Sequence, residues 1–593
     1  SNTPRWSADG RLYFLSTRSG SQQLWRLDLR GGEAEQVTRV PLDIGAFRLS
    51  RDGRRAAVAL EVFADCADLA CTAKRLEEQA SAKAKGAVYD RLFVRHWDTW
   101  KNGTRSQLFL VNFEQPDAEP KLLTRGIDGD VPTKPFGGDE EFTFSADGRA
   151  LFFTARIAGK TEAWSTNTDV WRVAVDGAAA PENLSAANPG YDVAPVVSPD
   201  GRTLAWRSQK RAGFEADRFR ILLRDLAGGA AREVAPGWDR SPGALAWSAD
   251  GSTLYATADD LGQTPLFAID VKSGKVQKLT GAGSVIGFDA GAKTIVYAAD
   301  DLRSPAQLFS IGPRGGPAKP LTRHNEALMS QRALGEFEQF TFAGWNDEKV
   351  HGYVMKPANY VAGRKYPVAF LVHGGPQGSM GNHWHYRWNP QTHAGAGYAV
   401  VFVDFHGSTG YGQAFTDSIS QHWGDRPLED LQKGWAHALL RYAFLDGSRA
   451  CALGGSYGGY MINWMAGNWA EPFKCLVNHD GIFDLRAFAY ETEELWFNEW
   501  ETGGTPFDQP ENYERFNPVN HVAKWKTPML VIHGGLDFRL PYTQGLAAFT
   551  ALQRRGIDSR LLYFPNENHW VLKPANSLQW HQTVEDWLKR WLG

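Results

Sequence analysis

The sequence predicts two domains of different fold classes, an all-β repeat domain followed by an α/β domain. Two observations support this division. The first half repeats one short turn motif between strand-like segments, and from Phe337 onward short apolar runs alternate with helix-forming stretches. Alternating strands and helices predict a doubly wound, mostly parallel sheet. We place residues 1–328 in the first domain and residues 329–593 in the second.

The repeated turn motif of the first half is Ser-x-Asp-Gly. Its glycine accepts a positive φ, and each copy precedes alternating apolar and polar residues that predict a strand. Copies occur at residues 7–10, 50–53, 145–148, 198–201 and 248–251, with a degenerate one at 288–291. A period of about 40 to 50 residues with about four strands per unit predicts the blades of a β-propeller. Six are visible, and we expect about seven blades, the seventh lying upstream or completed outside these residues.

One step between copies, from Ser50 to Ser145, is nearly twice the period. It contains residues 71–80, which are rich in helix formers and lack Gly and Pro, so we predict a helix inserted in the second visible blade. The same step contains an aromatic and charged run at residues 95–100. This run could form a wall facing the substrate, but a buried cluster between blades is the interpretation we favour.

A serine between glycines follows the apolar residues 450–453 in the second half. The motif is Gly454-Gly455-Ser456-Tyr457-Gly458. A strand that ends in such a sharp turn lifts the hydroxyl above the sheet, as in the nucleophile elbow of α/β-hydrolases. Glycines are needed there because neighbouring side chains would collide. The sequence therefore predicts an α/β-hydrolase domain with Ser456 as its nucleophile.

Two further residues occur in the order that this fold requires. Asp537 follows an apolar run at residues 528–533, and His569 follows a second run at residues 560–564; both runs predict buried strands. α/β-Hydrolases present a serine, then an acid, then a histidine on loops at one rim of the sheet. Considered one at a time, Asp537 is more simply interpreted as a turn residue and His569 as a histidine of a surface loop. Order and position favour a catalytic triad, in which His569 takes the serine proton and Asp537 orients the imidazole.

Acyl transfer also needs donors for the oxyanion of the tetrahedral intermediate. The N–H of Tyr457, directly after the nucleophile, is one candidate. We favour the N–H of Gly375 as the second, because the motif at residues 373–376 follows a predicted strand at residues 368–372. An ordinary tight turn is the alternative for this motif.

Composition excludes several classes of function. The 593 residues carry 64 basic and 67 acidic side chains, a formal charge of -3, so no nucleic-acid or anionic-membrane partner is expected. Apolar runs are shorter than the ~20 residues of a membrane-spanning helix, which predicts a soluble protein. Because neither a zinc-binding helix motif nor a phosphate loop is present, we expect no metal and no organic cofactor.

The four cysteines fit either a reducing or an oxidising compartment. Cys66 and Cys71 are close enough in sequence for a local disulfide. Cys451 and Cys475 fall on runs that predict neighbouring strands, and for this pair we favour free buried thiols. We lean towards an oxidising compartment, and hence a periplasmic or secreted protein. Because the chain starts within a repeat, we also expect the natural protein to extend upstream and to have lost a leader there.

A propeller followed by a hydrolase with this triad order resembles the prolyl oligopeptidase family of serine peptidases over essentially the whole chain. Four motifs are most similar to the branch that contains dipeptidyl peptidase 5 and the acylaminoacyl peptidases. They lie at residues 407–412, 454–460, 478–481 and 567–572. Related chains usually carry Pro-Arg before the first of these motifs, where this chain has Phe405 and His406.

The resemblance implies a serine exopeptidase that releases dipeptides from the free N-terminus of oligopeptides through an acyl-enzyme on Ser456. The alternative is an acylaminoacyl peptidase, which removes N-acylated amino acids from blocked peptides. A carboxylesterase of the same fold and an inactive propeller scaffold are more distant alternatives. The propeller is expected to cover the site and to admit only short peptides. Whether the chain forms a homodimer stays open.

The resemblance also implies roles around the triad. Arg539 would bind the carbonyl of the substrate's second residue, although a salt bridge to a nearby carboxylate is a simpler interpretation. Residues 483–497 would line the pocket for the residue before the cut, and a free α-amino group needs desolvated carboxylates. Glu493 and Glu494 are the candidates for the amine, with a solvated acidic turn as the alternative. The apolar pocket candidates are Phe488, Trp496, Phe497 and Leu540.

Overall fold

The computed structural model describes residues 1–115, 118–177 and 179–593. Within these residues, six four-stranded antiparallel sheets form the first half of the chain. The first strand of each sheet contacts the first strand of the next sheet along the chain. This confirms the β-propeller; the described residues contain six blades, where about seven were expected. The strands are, sheet by sheet, Asn2–Trp6, Leu12–Ser16, Gln23–Leu27 and Glu35–Gln36; Ile44–Leu49, Arg55–Val62, Arg105–Asn112 and Lys121–Leu122; Phe142–Phe144, Ala150–Ala155, Asp169–Ala174 and Glu182–Asn183; Asp192–Val197, Thr203–Ser208, Arg220–Asp225 and Arg232–Val234; Pro242–Trp247, Thr253–Ala258, Leu266–Asp270 and Val276–Lys278; Ser284–Ala290, Ile295–Asp301, Ser304–Gly312 and Gly315–Pro320.

The Ser-x-Asp-Gly motif joins the first two strands of a blade. In the second blade, the Ser50 hydroxyl donates to Asp52 Oδ1 at 2.6 Å, and the Gly53 N–H donates to the Ser50 carbonyl at 2.9 Å. Gly53 has φ +68°, where a side chain would be strained. The repeat is therefore a hydrogen-bonded turn that closes the hairpin.

The predicted insertion lies between the second and third strands of the second blade. Helix Leu69–Ser81 begins at Asp68, whose side chain accepts from the Cys71 N–H at 2.7 Å, which confirms the inserted helix. The chain then forms a two-stranded ribbon, Arg95–His96 paired with Thr99–Trp100, before it returns to the blade. We call residues 95–100 the active-site ribbon, because it reaches the second half of the chain.

An eight-stranded sheet forms the second half and confirms the α/β-hydrolase fold. Its order is β1-β2-β4-β3-β5-β6-β7-β8, with antiparallel pairing up to β4 and parallel pairing beyond. The strands are β1 (Phe337–Ala343), β2 (Lys349–Met355), β3 (Tyr366–Val372), β4 (Ala399–Asp404), β5 (Leu445–Gly455), β6 (Cys475–His479), β7 (Met529–Gly534) and β8 (Ser559–Phe564). Helices of this half are Pro390–Gly395, Gln413–Asp417, Arg426–Arg441, Tyr457–Asn468, Leu485–Glu491, Leu495–Thr502, Asn512–Arg515, Tyr542–Arg554 and Pro574–Leu592.

Apolar cores cover both faces of this sheet. The closing helix Pro574–Leu592 buries Trp580, Val584 and Trp587 against one face, as its periodicity predicts. Helices Arg426–Arg441 and Tyr457–Asn468 pack on the other face. In the part of the chain that the structure describes, no helix is long and apolar enough to cross a membrane.

The connection between the halves contains the short helix Glu326–Met329, after the last propeller strand and before β1. A domain boundary at residues 328 and 329 falls within this helix and stays a prediction.

The cysteines form two disulfides, Cys66–Cys71 and Cys451–Cys475. The expectation of free thiols for the second pair is therefore wrong. In the parallel pairing of β5 with β6, Cys451 lies directly opposite Cys475, and their Cα atoms are 4.7 Å apart. This separation suits a disulfide. Neighbouring strands follow from the apolar pattern, whereas the register that aligns the two sulfurs is fixed only in the assembled sheet.

Replacing Cys451 and Cys475 together by alanine should lower the free energy of unfolding by about 3 kcal/mol, because the crosslink restricts the unfolded chain across a separation of 24 residues. The matched control replaces Cys66 and Cys71, whose separation is 5 residues, and should cost less. Urea unfolding followed by tryptophan fluorescence measures both. Parent-like unfolding of the first variant would show that the crosslink does not stabilise the sheet.

Candidate active site

Ser456 stands at a sharp turn between β5 and helix Tyr457–Asn468, with φ +60°. The turn closes tightly, because a Cβ on Gly454 would collide with the Gly458 backbone, and one on Gly458 would collide with the Val372 carbonyl. The glycines of the motif therefore serve close packing, as the sequence predicts. The hydroxyl of Ser456 faces a cavity between the two halves.

The structure brings the three residues of the predicted triad together. Ser456 Oγ lies 3.0 Å from His569 Nε2, and His569 Nδ1 lies 2.8 Å from Asp537 Oδ2. Asp537 follows β7 and His569 follows β8, so both loops meet at one rim of the sheet. Asp537 is fully buried, and its Oδ1 accepts from the Leu540 N–H at 2.8 Å. With Nδ1 protonated, Nε2 is free to accept the serine proton.

A second buried carboxylate, Asp480, lies beside the same imidazole. Its Oδ2 is 3.4 Å from His569 Nδ1, and its Oδ1 accepts from the Ser456 N–H at 2.7 Å. Asp480 has φ +41°, an uncommon conformation for a residue other than glycine. One side chain thus holds the backbone of the nucleophile and places negative charge next to the base.

The charge on Asp480 is fixed by its neighbour His479. The Trp580 indole N–H donates to His479 Nδ1 at 2.7 Å, so the imidazole proton is on Nε2, 2.7 Å from Asp480 Oδ2. Burial by itself would raise the pKa of Asp480, but His479 and His569 outweigh burial and lower it. Asp480 is therefore ionised at neutral pH.

The two carboxylates outweigh burial at His569 as well. Burial lowers the pKa of an imidazole, whereas Asp480 and Asp537 raise the pKa of His569 above its ordinary value and Arg539 opposes them. A neighbouring histidine, His533, lies 3.6 Å from Asp537 through Nε2 and is itself kept uncharged by burial, which lowers its pKa. The site is built to stabilise a charged imidazolium.

The predicted oxyanion donors lie next to the nucleophile. Tyr457 is the first residue of its helix, so its N–H has no acceptor within the helix. Gly375 has φ +121° and lines the cavity; its neighbour Gly374 lies against the elbow, where a Cβ would come within 3.1 Å of Ser456 Cβ. Whether these two N–H groups hold an oxyanion stays a prediction.

Buried side chains fix the loop that carries Gly375. The Ser379 and Tyr411 hydroxyls donate to Asp404 Oδ2 at 2.5 and 2.7 Å, and the Gln377 amide donates to Glu501 Oε1 at 2.8 Å. Burial raises the pKa of Glu501 to about 7. These bonds position the loop before substrate arrives, as preorganised stabilisation requires.

The active-site ribbon of the propeller contacts both the loop that carries Asp537 and the loop that carries His569. The Trp97 carbonyl accepts from the Phe538 N–H at 3.1 Å, and Asp98 Oδ2 accepts from the Asn568 amide at 2.8 Å. The Trp97 ring lies 5.8 Å from the His569 ring. The favoured interpretation of this run as a cluster between blades is wrong, because the insertion is long enough to leave its blade and reach the hydrolase half.

A cavity of about 710 Å³ separates the halves at this point. Trp97, Phe136 and Glu215 line it from the propeller, and Ser456 and His569 from the hydrolase half. Its volume lies within the range of sites for small ligands. The site can therefore enclose a short peptide but no folded protein.

Arg539 lies between two buried glutamates at one end of the cavity. Its Nε donates to Glu493 Oε1 at 2.7 Å, and its Nη2 lies 2.7 Å from Glu494 Oε1. Burial would lower the pKa of Arg539, but the carboxylates outweigh burial and raise it. Burial raises the pKa of Glu494 strongly and that of Glu493 as well. The ion-pair interpretation of Arg539 is thus realised, although Arg539 and Glu494 also line the cavity.

The apolar pocket candidates divide into two groups. Phe497 and Leu540 line the cavity. Phe488 is buried in the core of the hydrolase half, because its helix turns it inward. Trp496 packs against Phe93 of the propeller and does not line the cavity. The structure does not bring Phe488 and Trp496 to the cavity surface.

Sequence reasoning missed two residues of this site. Asp480 lies in a motif that carried the family resemblance, and its position after β6 was the available signal. Glu215 lies in a propeller loop, faces the cavity, and accepts from the Trp496 indole N–H at 2.9 Å. No local pattern distinguishes Glu215 from other loop carboxylates.

Comparison with known proteins gives concordant results. The model of the prolyl oligopeptidase family matches residues 384–593. Dipeptidyl-peptidase 5 of Schizosaccharomyces pombe is 36% identical over 520 residues, which are 84% of this chain and 74% of the relative. Dipeptidyl-peptidase 5 of Trichophyton equinum is 35% identical over 620 residues, covering 99% of this chain and 84% of the relative.

Solved structures share the fold. An acylaminoacyl peptidase of Pyrococcus horikoshii superposes with a TM-score of 0.83 at 22% identity, covering 100% of this chain and 88% of the other. A puromycin-hydrolyzing peptidase of Mycobacterium tuberculosis gives a TM-score of 0.71 at 21% identity, covering 100% of this chain and 86% of the other.

Asp480→Asn removes one of two negative charges beside the imidazole and leaves Asp537 on Nδ1. Because the imidazolium is then less stabilised, the pKa of His569 falls, and the acid limb of the pH profile of kcat/KM moves to lower pH by about one unit. The profile is measured on the substrate that the parent cleaves fastest. Asp586→Asn, on the exposed side of the closing helix, is the control and should leave the limb in place. An acid limb that does not move would assign Asp480 a purely structural role.

Proposed function

Because the chain belongs to the prolyl oligopeptidase family of serine peptidases, we propose that it releases dipeptides from the free N-terminus of short peptides through an acyl-enzyme on Ser456. The observation that carries this proposal is that Ser456, His569 and two carboxylates meet at a cavity that Glu494 and Glu215 also line. The names of the relatives support dipeptide release.

The reaction follows from the geometry. His569 Nε2 takes the Ser456 proton while Oγ bonds to the carbonyl carbon of the substrate's second residue, and the carbonyl electron pair moves onto oxygen. The Tyr457 and Gly375 N–H groups are proposed to hold that oxyanion. Collapse of the intermediate breaks the C–N bond, and His569 gives its proton to the leaving amine. Water then repeats these steps on the ester and releases the dipeptide.

The acidic end of the cavity suits a free α-ammonium group. Glu493, Glu494 and Glu215 gather there, and the cations near them are Arg539, Arg156 behind Trp496, and Arg95 of the active-site ribbon. His96 adds none, because burial lowers its pKa to about 2. Of these groups Glu494, Glu215 and Arg539 line the cavity, so two carboxylates and one cation face a bound substrate, and an ammonium would balance the second carboxylate. We therefore propose Glu494 and Glu215 as its partners, with Arg539 directed at the neighbouring carbonyl.

One observation favours the alternative, an acylaminoacyl peptidase. Arg539 already pairs with both Glu493 and Glu494, so these carboxylates have a cation without any substrate amine. A substrate with a blocked N-terminus, which brings no positive charge, would then leave neither Glu493 nor Glu494 without a cation.

We further propose that the protein works in an oxidising compartment, as a periplasmic or secreted enzyme. The two disulfides support this, because such crosslinks persist where thiols are not kept reduced.

A fluorophosphonate probe should label the parent covalently, because the activated hydroxyl of Ser456 attacks phosphorus as it would a carbonyl. Ser456→Ala should abolish labelling, and His569→Ala should slow it at least a hundredfold. Mass spectrometry locates the adduct. An adduct on Ser456→Ala would mean that another nucleophile reacts.

Two arylamide substrates test the anchor, one a free dipeptide and one an acetylated amino acid. The parent should cleave the free dipeptide. Glu494→Gln and Glu215→Gln should each lower its kcat/KM about tenfold to a hundredfold, the value of a hydrogen bond between charged groups.

Glu493→Gln is the matched control, because Glu493 pairs with Arg539 without lining the cavity. A loss common to Glu493→Gln and Glu494→Gln would report a displaced Arg539 and not a lost amine partner. A parent that cleaves only the acetylated substrate would replace the proposal by its alternative.

A further inference from the structure

Four arginines line the cavity, and three of them, Arg539, Arg218 and Arg240, pair with carboxylates. The fourth is Arg387, on the loop between β3 and helix Pro390–Gly395. Within residues 1–115, 118–177 and 179–593, the structure shows no ion pair and no hydrogen bond of the Arg387 guanidinium; only its backbone N–H donates, to His385. The side chain is half-buried, and burial lowers its pKa. A partly desolvated guanidinium whose N–H donors bond no acceptor is costly, so it favours an anionic ligand.

Arg387 and Arg539 lie at opposite ends of a row of aromatic contacts. The Arg539 guanidinium lies 5.1 Å from the Trp97 ring, Trp97 lies 4.6 Å from Trp570, and the Arg387 guanidinium lies 5.0 Å from Trp570. Phe136 stacks on Trp570 at 5.5 Å and fixes its plane. The Trp97 ring also lies 5.8 Å from the His569 ring, so this aromatic row passes beside the imidazole.

The loop of Arg387 lies directly against the nucleophile turn. A Cβ on Gly455 would come within 2.9 Å of the Trp388 ring, the neighbour of Arg387. The loop is anchored on the propeller, where the Asn382 N–H donates to the Gly262 carbonyl at 2.7 Å. The loop of Arg387 is therefore held against the nucleophile turn, and Arg387 itself contacts the end of the aromatic row opposite to Arg539.

His385 adds a second donor on this loop. Its Nδ1 accepts the N–H groups of Arg387 and Trp388, each at 3.0 Å, so its proton is on Nε2. Burial lowers the pKa of His385 to about 4, assisted by the positive charge of Arg387. A neutral N–H and a guanidinium that both line the cavity form a donor set for a carboxylate.

The other charged groups on this side already have partners. Asp480, which faces Arg387, accepts from the Ser456 N–H and pairs with His479. His383, the next histidine on the loop, pairs with Asp300 at 2.8 Å. Asp480 acts on Arg387 electrostatically, but among the described residues no carboxylate forms an ion pair or a hydrogen bond with the guanidinium, so its N–H donors are left for a ligand.

We propose that Arg387 and His385 bind the C-terminal carboxylate of the leaving part of a short peptide, which makes short peptides with a free C-terminus the preferred substrates. The cavity of about 710 Å³ bounds the peptide, so a short substrate has its C-terminus inside the same enclosure. The inference rests on the proposed function, because release of a dipeptide decides which bond lies at Ser456 and how much of the peptide extends towards Arg387.

Matched peptides test this inference. Tripeptides, tetrapeptides and pentapeptides with the same first two residues are compared as free acids and as C-terminal amides, and dipeptide release is measured by mass spectrometry. The parent should cleave the acid at least tenfold faster than the amide, in kcat/KM, at one of these lengths. In Arg387→Gln that ratio should fall to near one. Arg387→Lys, which keeps the charge but loses the planar fork, should retain part of it.

The ratio is taken within each variant, so a general loss of activity cancels. Arg364→Gln, an exposed arginine near Tyr366 and away from the cavity, is the matched control and should keep the parent ratio. An amide series with Asp as the third residue separates an acidic side chain from a C-terminal carboxylate. Rescue of the amide by that Asp would assign the site to side chains and overturn the proposal as stated.

Two outcomes overturn the inference outright. One is a parent ratio below twofold at every length, and the other is a ratio that survives Arg387→Gln. Cleavage of the free dipeptidyl arylamide reports the proposed function separately, since its leaving group has no carboxylate. An enzyme that cleaves the arylamide but ignores the C-terminus would keep the proposed function and lose this subsite.

Discussion

The imidazole of His569 is the group on which the rest of the site depends. In the proposed reaction it must be neutral to accept the Ser456 proton and charged a moment later, although it is buried. Two buried carboxylates, Asp537 and Asp480, stabilise the charged form of the imidazole. Each also accepts a backbone hydrogen bond, Asp537 from the Leu540 N–H and Asp480 from the Ser456 N–H. Electrostatics and geometry are therefore supplied by the same side chains.

The propeller belongs to this site as much as the hydrolase sheet does. The active-site ribbon bonds to Phe538, directly after the acid, and to Asn568, directly before the base. Elsewhere the halves are joined by a paired Arg211 and Asp417, with contacts of 2.8 and 2.9 Å. Because the ribbon contacts both catalytic loops, their positions depend on how the halves meet. The propeller therefore not only covers the site but also helps to position the loops of Asp537 and His569.

The sequence predicts what depends on local pattern. The repeated turns, the inserted helix, the nucleophile turn and the order of Ser456, Asp537 and His569 all follow from short motifs and strand periodicity. Features that depend on distant packing were missed or misread. The register that pairs Cys451 with Cys475, the reach of Trp97 across the cavity and the approach of Glu215 each join segments that no local pattern relates.

The charges across the cavity give a bound peptide a direction. In the proposed binding mode Glu494 and Glu215, which line the cavity with Arg539, take the ammonium, and Arg387 and the neutral His385, on the loop against the nucleophile turn, take the carboxylate. A short peptide carries an ammonium at its first residue and a carboxylate at its last, so one orientation places both charges among opposite charges. The reverse orientation would place the carboxylate against buried glutamates, where like charges repel in a poorly solvated site. Direction can therefore be selected by charge alone, before any side chain of the peptide is recognised.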